Sequence, residues 1–278
     1  MNSSARLNRL FAADGKCLVV ALDHGLVNEA QYLRGIENIA QLVTHIAGAN
    51  PDALLLTVGY APLLQGLAGR AKPSLVFRVD TPNVYRQMAS PCLFDELLAD
   101  PVEQAVRLDA ACVITHLFFI AEQPQVYQQC IQNICRLRSD CDRYGMPLMV
   151  EARVMELNGR GGYTPGGDPE KLAPLARQAI ELGVDILKVD PPDNPEDLAH
   201  VIAAVGDKPV LALGGSVTGE AELLARTAVL LQQGARGIVY GRNVFSQPNP
   251  AAMTRALLSI VHNGATPVQA FNLLRGSA

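Results

Sequence analysis

No two cysteines of this chain stand in CxxC spacing and no two histidines in HxxxH or HExxH spacing, so the sequence marks of a zinc site are missing. The six cysteines, at 17, 92, 112, 130, 135 and 141, lie partly in apolar runs and read as reduced thiols rather than a disulfide framework. No run of about 18 apolar residues occurs, and the first ten residues hold arginines but no apolar core of signal-peptide length, so a cytoplasmic chain without a membrane partner is expected. Lys and Arg number 23 against 27 Asp and Glu, interspersed, with a net charge of -4. Such a chain has no basic face for nucleic acid and no polybasic flank for an anionic membrane. Gly159-Arg160-Gly161-Gly162 does not follow a strand and open a helix, which argues against a dinucleotide site. Asn2-Ser3-Ser4 matches a glycosylation pattern that carries no weight in a cytosolic chain.

What is present is regular alternation. With 278 residues and 49% hydrophobic content, the chain has the size of two small domains or one large α/β barrel. Eight short runs have strand character, at 17–22, 53–58, 74–79, 112–118, 147–153, 185–189, 209–213 and 237–240, and each is followed by room for a helix. Helices are expected over 35–47 and 171–182, the second opened by Asp168-Pro169-Glu170 and stopped by Gly183. No linker interrupts the pattern, so a single (β/α)8 TIM barrel spanning 1–278 is predicted, with 1–16 as an N-terminal extension or helix. A doubly wound open sheet would show the same alternation. The barrel is preferred because Asp23-His24, Arg78, Asp80, His116, Glu151, Arg153, Lys188, Asp190, Gly214-Gly215-Ser216 and Gly241-Arg242 all fall at C-terminal strand ends, which a barrel gathers on one rim.

Lys188 closes the apolar run Val184-Asp185-Ile186-Leu187 and precedes Val189-Asp190-Pro191-Pro192. Burial there lowers an amine's pKa toward the range where it attacks a carbonyl. The bland expectation is a barrel-end ion pair with Asp23 or Asp190. Gly214-Gly215-Ser216 after strand seven and Gly241-Arg242 after strand eight have the form of a phosphate loop: glycine admits an oxyanion close to the backbone, and arginine adds charge-assisted hydrogen bonds.

The motifs Leu22-Asp23-His24-Gly25, Leu187-Lys188-Val189, Gly214-Gly215 and Gly241-Arg242-Asn243-Val244-Phe245, in this order, resemble those of the class I aldolases of the DeoC/LacD/FbaB (DhnA-type) superfamily. The resemblance runs from about Cys17 to the helix holding Val261-His262, and it is close to the thiolase and archaeal-type fructose-bisphosphate aldolase branches. It implies a barrel, a Schiff-base lysine at Lys188, a catalytic acid at Asp23, phosphate binding by Gly215, Gly241 and Arg242, no cofactor, and a homo-oligomer. One motif departs from the family: where many members carry Tyr-Pro-Arg-Gly after strand five, this chain reads Glu151-Ala152-Arg153-Val154.

The expected chemistry is an imine between Lys188 and the ketone of a phosphorylated substrate, followed by carbon–carbon cleavage to an enamine. Asp23 is the first choice for moving the proton, Glu151 the second, with His24 or His116 as shuttles. Arg153 and His116 are further candidates for holding the substrate. A neighbouring Arg153 would lower the lysine pKa and Asp190 would raise it. The loop over 159–167, which contains Tyr163, is expected to act as a lid. Two other functions fit the same residues: acetyl transfer from a phosphorylated diketone to coenzyme A, and a metabolite-binding or isomerase barrel.

Overall fold

A computed structural model of the chain describes residues 5–69, 71–86, 90 and 92–276. The Asn2-Ser3-Ser4 triplet and the start of the predicted N-terminal extension lie outside the described residues. Eight parallel strands close on themselves: β1 (Cys17–Ala21), β2 (Ala53–Leu56), β3 (Ser74–Arg78), β4 (Cys112–Ile120), β5 (Leu148–Leu157), β6 (Ile186–Val189), β7 (Val210–Leu213) and β8 (Gly237–Tyr240). Pairing of Cys17 with Gly237 and Val20 with Tyr240 joins the last strand to the first, which settles the barrel over the open sheet. Gly237 has φ +144°, and a Cβ there would lie 1.8 Å from the Cys17 carbonyl oxygen. Only glycine fits the start of that seam.

Side chains alternate along each strand, so every second residue enters the barrel. Val19, Leu55, Val76, Ile114, Met149, Ile186, Leu211 and Val239 form the interior plug, which the short helix Leu7–Leu10 covers from the N-terminal end with Leu10. That helix is tied down where Ser74 Oγ donates to the Arg9 carbonyl at 2.7 Å. On the same end His262 bridges Asp14 and Asp52, each at 2.9 Å, far from the chemistry of the opposite rim. The intervening residues of each strand face the helices and form the larger outer core. All six cysteines are free, and Cys17, Cys112, Cys130 and Cys141 are buried. No helix among the described residues is long and apolar enough to cross a membrane.

The helices differ from the expected ones in instructive places. α1 (Ile39–Ala47) starts four residues later than the 35–47 pattern, because the Asn38 side chain caps it by accepting the Gln41 N–H at 3.1 Å. α2 (Ala61–Gln65) is one turn and a half, all that the tight gap after β2 allows. α3 (Pro101–Arg107) and α4 (Pro124–Tyr144) flank β4. α5 (Pro169–Glu181) has the predicted start, with Asp168 accepting the Glu170 N–H at 3.0 Å. α6 (Leu198–Val205), α7 (Glu220–Gln232) and α8 (Pro250–Asn263) complete the ring.

Two hairpins were not legible. Asp80–Pro82 pairs antiparallel with Asp95–Leu97 above β3. The loop read as a lid instead runs as a strand, Tyr163–Pro165, that pairs antiparallel with the end of β5 through Met155–Pro165 and Leu157–Tyr163. β5 outruns the barrel and offers free backbone groups, which this segment satisfies. A Lys171–Glu156 ion pair at 2.7 Å pins its base.

Candidate active site

Inter-strand register builds the centre of the site. His116 on β4 pairs with Glu151 on β5, and Glu151 pairs with Lys188 on β6, so three inward side chains form one row across neighbouring strands. Lys188 Nζ donates to Glu151 Oε2 at 2.7 Å, and both residues are 3% exposed. The lysine's partner is therefore neither Asp23 nor Asp190. Closure of the ring brings Arg78 across from β3, where its guanidinium donates to Asp23 Oδ2 (2.9 Å), Asp80 Oδ1 (3.2 Å) and Glu151 Oε2 (2.6 Å). One buried arginine thus holds three carboxylates.

Burial lowers the Lys188 pKa and Arg78 lowers it further, against the pull of Glu151 and Asp23. Arg78 does what was expected of Arg153. Burial would raise Glu151, but Lys188, His116, Arg78 and Arg153 hold it well below the ordinary carboxylate range. Asp23 is likewise held down by Arg78 and Lys188 against its burial. It opens the turn His24–Val27, yet its side chain makes no cap and goes to Arg78 instead. Arg153 is claimed by Asp190 through two 2.7 Å hydrogen bonds, a bidentate pair on the site wall.

His24 packs edge-on against Phe245 with ring centroids 4.9 Å apart. Burial, opposed by Asp23 and assisted by Arg242 and Lys188, lowers its pKa to about 4. The ring is neutral at pH 7. Because the unfolded value is higher, the stability of this neutral ring is intact above about pH 6.5 and is lost as pH falls toward 4. The expected NMR titration of the His24 ring has its midpoint near 4; an ordinary midpoint would mean the ring leaves Phe245 in solution. A Cβ at residue 241 would meet His24 Cε1 at 2.2 Å, which explains the glycine there.

The far end of the same cleft, about 680 Å³ in volume, is lined by Gly214, Gly215, Ser216, Gly241, Arg242 and Arg226. Asn243 Nδ2 ties the glycine loop by donating to the carbonyls of Gly214 (2.8 Å) and Ser216 (3.0 Å). Arg242 donates to the Gly215 carbonyl at 3.4 Å and stacks over Tyr32 at 5.1 Å. Arg226, from within α7, donates to the Gly214 carbonyl and leaves its Nε unpartnered. Its side chain reaches the rim from a helix, which no strand-end pattern signals.

Tyr85 was missed for a related reason. It follows the hairpin strand Asp80–Pro82, and its hydroxyl stands 3.5 Å from Glu151 Oε1, with the Arg153 guanidinium 5.1 Å from its ring centre. Among the described residues, Asp80, Asp95 and His116 have ligand atoms within 4.8 Å of one another, close enough for a metal. Asp80 Oδ2, however, already accepts from Thr115 Oγ1 (2.9 Å), the His116 N–H (2.6 Å) and His116 Nδ1 (2.8 Å), and Arg78 faces the other oxygen.

Residues 17–247 match the model of the DeoC/LacD family aldolases. The chain belongs to that family. This aldolase is 32% identical over 280 residues to an uncharacterized aldolase of Saccharolobus solfataricus, covering 99% of this chain and 100% of the relative. It is 29% identical over 264 residues to 2-amino-3,7-dideoxy-D-threo-hept-6-ulosonate synthase of Halobacterium salinarum, covering 95% and 93%. Among solved structures it is similar to an archaeal fructose-1,6-bisphosphate aldolase whose catalytic lysine is covalently bound to the carbinolamine intermediate of its substrate. The TM-score is 0.72 at 25% identity, over 94% of this chain and 99% of that one. The enzyme is a class I aldolase, a TIM-barrel lyase of the Schiff-base type.

Proposed function

We propose that the aldolase cleaves or forms a carbon–carbon bond in a phosphorylated ketose or keto compound through an imine on Lys188. The observation that carries this reading is a buried lysine amine, 2.7 Å from a carboxylate, in the same cleft as a glycine loop flanked by Arg242 and Arg226. The neutral amine adds to the ketone, water leaves, and the iminium draws in the electron pair of the adjacent bond as it breaks. Asp23, at 2.9 Å from Arg78 and beside Lys188 in the same charge network, takes the proton from the departing carbinol oxygen. The substrate phosphate rests on the backbone of Gly214, Gly215, Ser216 and Gly241 against Arg242. Arg153, pinned by Asp190, and His24 border the space between these ends.

Borohydride with dihydroxyacetone phosphate is the direct test: a mass increase on the wild-type chain that vanishes in a Lys188 variant supports the reading, and no adduct with any turned-over substrate refutes it. An adduct whose further reaction requires coenzyme A would point to acyl transfer instead. Arg242→Ala is expected to raise KM for a phosphorylated substrate about ten- to a hundredfold, the range for one charge-assisted contact, with little effect on its dephosphorylated analogue. Equal effects on both substrates would remove Arg242 from the phosphate. We also propose, from the family resemblance, a cytoplasmic homo-oligomer, to be read by light scattering of the purified chain.

A further inference from the structure

Behind the row of His116, Glu151 and Lys188 stands a second row that the aldol chemistry leaves unused. His116 Nδ1 lies 2.8 Å from Asp80 Oδ2. Arg78 Nη1, which only donates, also lies 3.1 Å from Nδ1 but is shared with Asp80 Oδ1 at 3.2 Å. The shorter Nδ1 contact is to a carboxylate oxygen, which only accepts, so the ring proton is assigned to Nδ1 and Nε2 keeps a lone pair. Nε2 lies 3.4 Å from Glu151 Oε2, the same oxygen that holds Lys188 Nζ. Behind Asp80 is Asp95, fully buried, with Oδ2 accepting from Cys130 Sγ at 3.5 Å and Oδ1 without a partner.

We propose that His116 is the proton carrier for Lys188, reached through Glu151, and that Asp95 is a neutral carboxylic acid hydrogen-bonded to Asp80 that keeps His116 in this tautomer. Charge supports the assignment. Asp80, Glu151, Asp190 and the partly buried Asp23 already outnumber Arg78, Arg153 and Lys188 in the network, and a further anion at the buried Asp95 would have no cation of its own. Burial and the neighbouring Asp80 push the Asp95 carboxyl well up, and burial with Arg78 lowers the His116 pKa against the pull of Asp80 and Glu151.

The step balances without solvent. The Lys188 ammonium gives a proton to Glu151 Oε2, keeping the N–H electron pair, and Glu151 passes a proton to His116 Nε2, so the network holds its net charge while the amine becomes nucleophilic. After the amine has added to the ketone, the imidazolium returns the proton to the departing hydroxyl of the carbinolamine. Water and the iminium result. His116 faces Arg78, Asp80, Glu151 and the Tyr85 and Phe118 rings, and Asp95 faces Asp80, Arg78 and Cys130.

The inference rests on Lys188 as the imine lysine, so its test has one arm that does not involve the imine. In 15N-histidine-labelled protein without substrate, with His116 identified by its loss in His116→Gln, Nδ1 is expected to carry the proton at about pH 6–8. A proton on Nε2 overturns the relay. Added Mn2+ that selectively broadens the His116 signals overturns the neutral Asp95 in favour of a cation.

In the second arm, His116→Gln is expected to slow borohydride trapping with dihydroxyacetone phosphate about tenfold or more near pH 7, with recovery toward alkaline pH, where Lys188 can lose its proton to solvent. Asp95→Asn keeps a donor toward Asp80 and is expected to trap within about twofold of wild type, whereas Asp95→Leu follows His116→Gln. An unchanged pH profile in His116→Gln, or Asp95→Asn as slow as Asp95→Leu, overturns the proposal. A wild-type chain that traps no substrate removes the imine reading, and the tautomer then decides the His116–Asp80–Asp95 geometry alone.

Discussion

Lys188→Ala is expected to lower kcat by roughly 10⁴ or more, the scale on which loss of a covalent nucleophile acts, and to abolish any borohydride-stable adduct. The size follows from the absence of a substitute. Of the other basic groups around the cleft centre, Arg78 and Arg153 are guanidinium ions with pKa values pushed further up, unable to supply a free electron pair. The fold is expected to survive, because Glu151 keeps its 2.6 Å hydrogen bond from Arg78 when the ammonium is removed. A variant that retains the wild-type melting temperature and loses turnover would therefore report chemistry. Retained turnover at more than about a hundredth of wild type would exclude the covalent role.

Arg78→Met is expected to have the largest effect on stability of any single replacement in the site. It removes the shared cation of the buried Asp80 and Glu151 and of the partly buried Asp23 on the rim. Breaking a buried ion pair from one side costs about 3–5 kcal/mol, since the other charge stays buried. For a domain of this length that is a fall in Tm on the order of 10 °C. The pH dependence has a definite sign. In the wild-type chain Asp23, Asp80 and Glu151 have folded pKa values below their unfolded ones, so their contribution is present above about pH 4 and is lost on acidification. Without Arg78 the folded pKa values of the same carboxyls move up, Asp23 most, because Lys188 and His116 still hold Glu151 down and His116 holds Asp80 down, so the variant has less to lose on acidification. Both effects shrink the gap between variant and wild type at low pH. A gap in Tm that stays constant from about pH 4 to 8 would show that Arg78 acts through packing rather than charge.

Strand periodicity located the eight barrel strands to within a few residues, because the alternation of inward and outward faces is written locally and barrel burial enforces it. It also aimed Lys188 inward, two residues after Ile186. The Gly214-Gly215 and Gly241-Arg242 segments were legible for the same local reason: a tight turn after a strand needs glycine.

The partners of those residues were not legible. Lys188 bonds Glu151 rather than Asp23 or Asp190, and Arg153 is spent on Asp190, because the choice depends on the register between β5 and β6 and not on either strand alone. Arg78 became the hub only when closure of the ring carried β3 within reach of β1 and β5. Tyr85 and Asp95 entered the site through a hairpin that has no periodic signal of its own, and Arg226 entered from a helix. A chain's local pattern sets which way a side chain points; which charge it meets across the barrel is a non-local outcome of closure, and in this aldolase that outcome sets the protonation of every group at the centre.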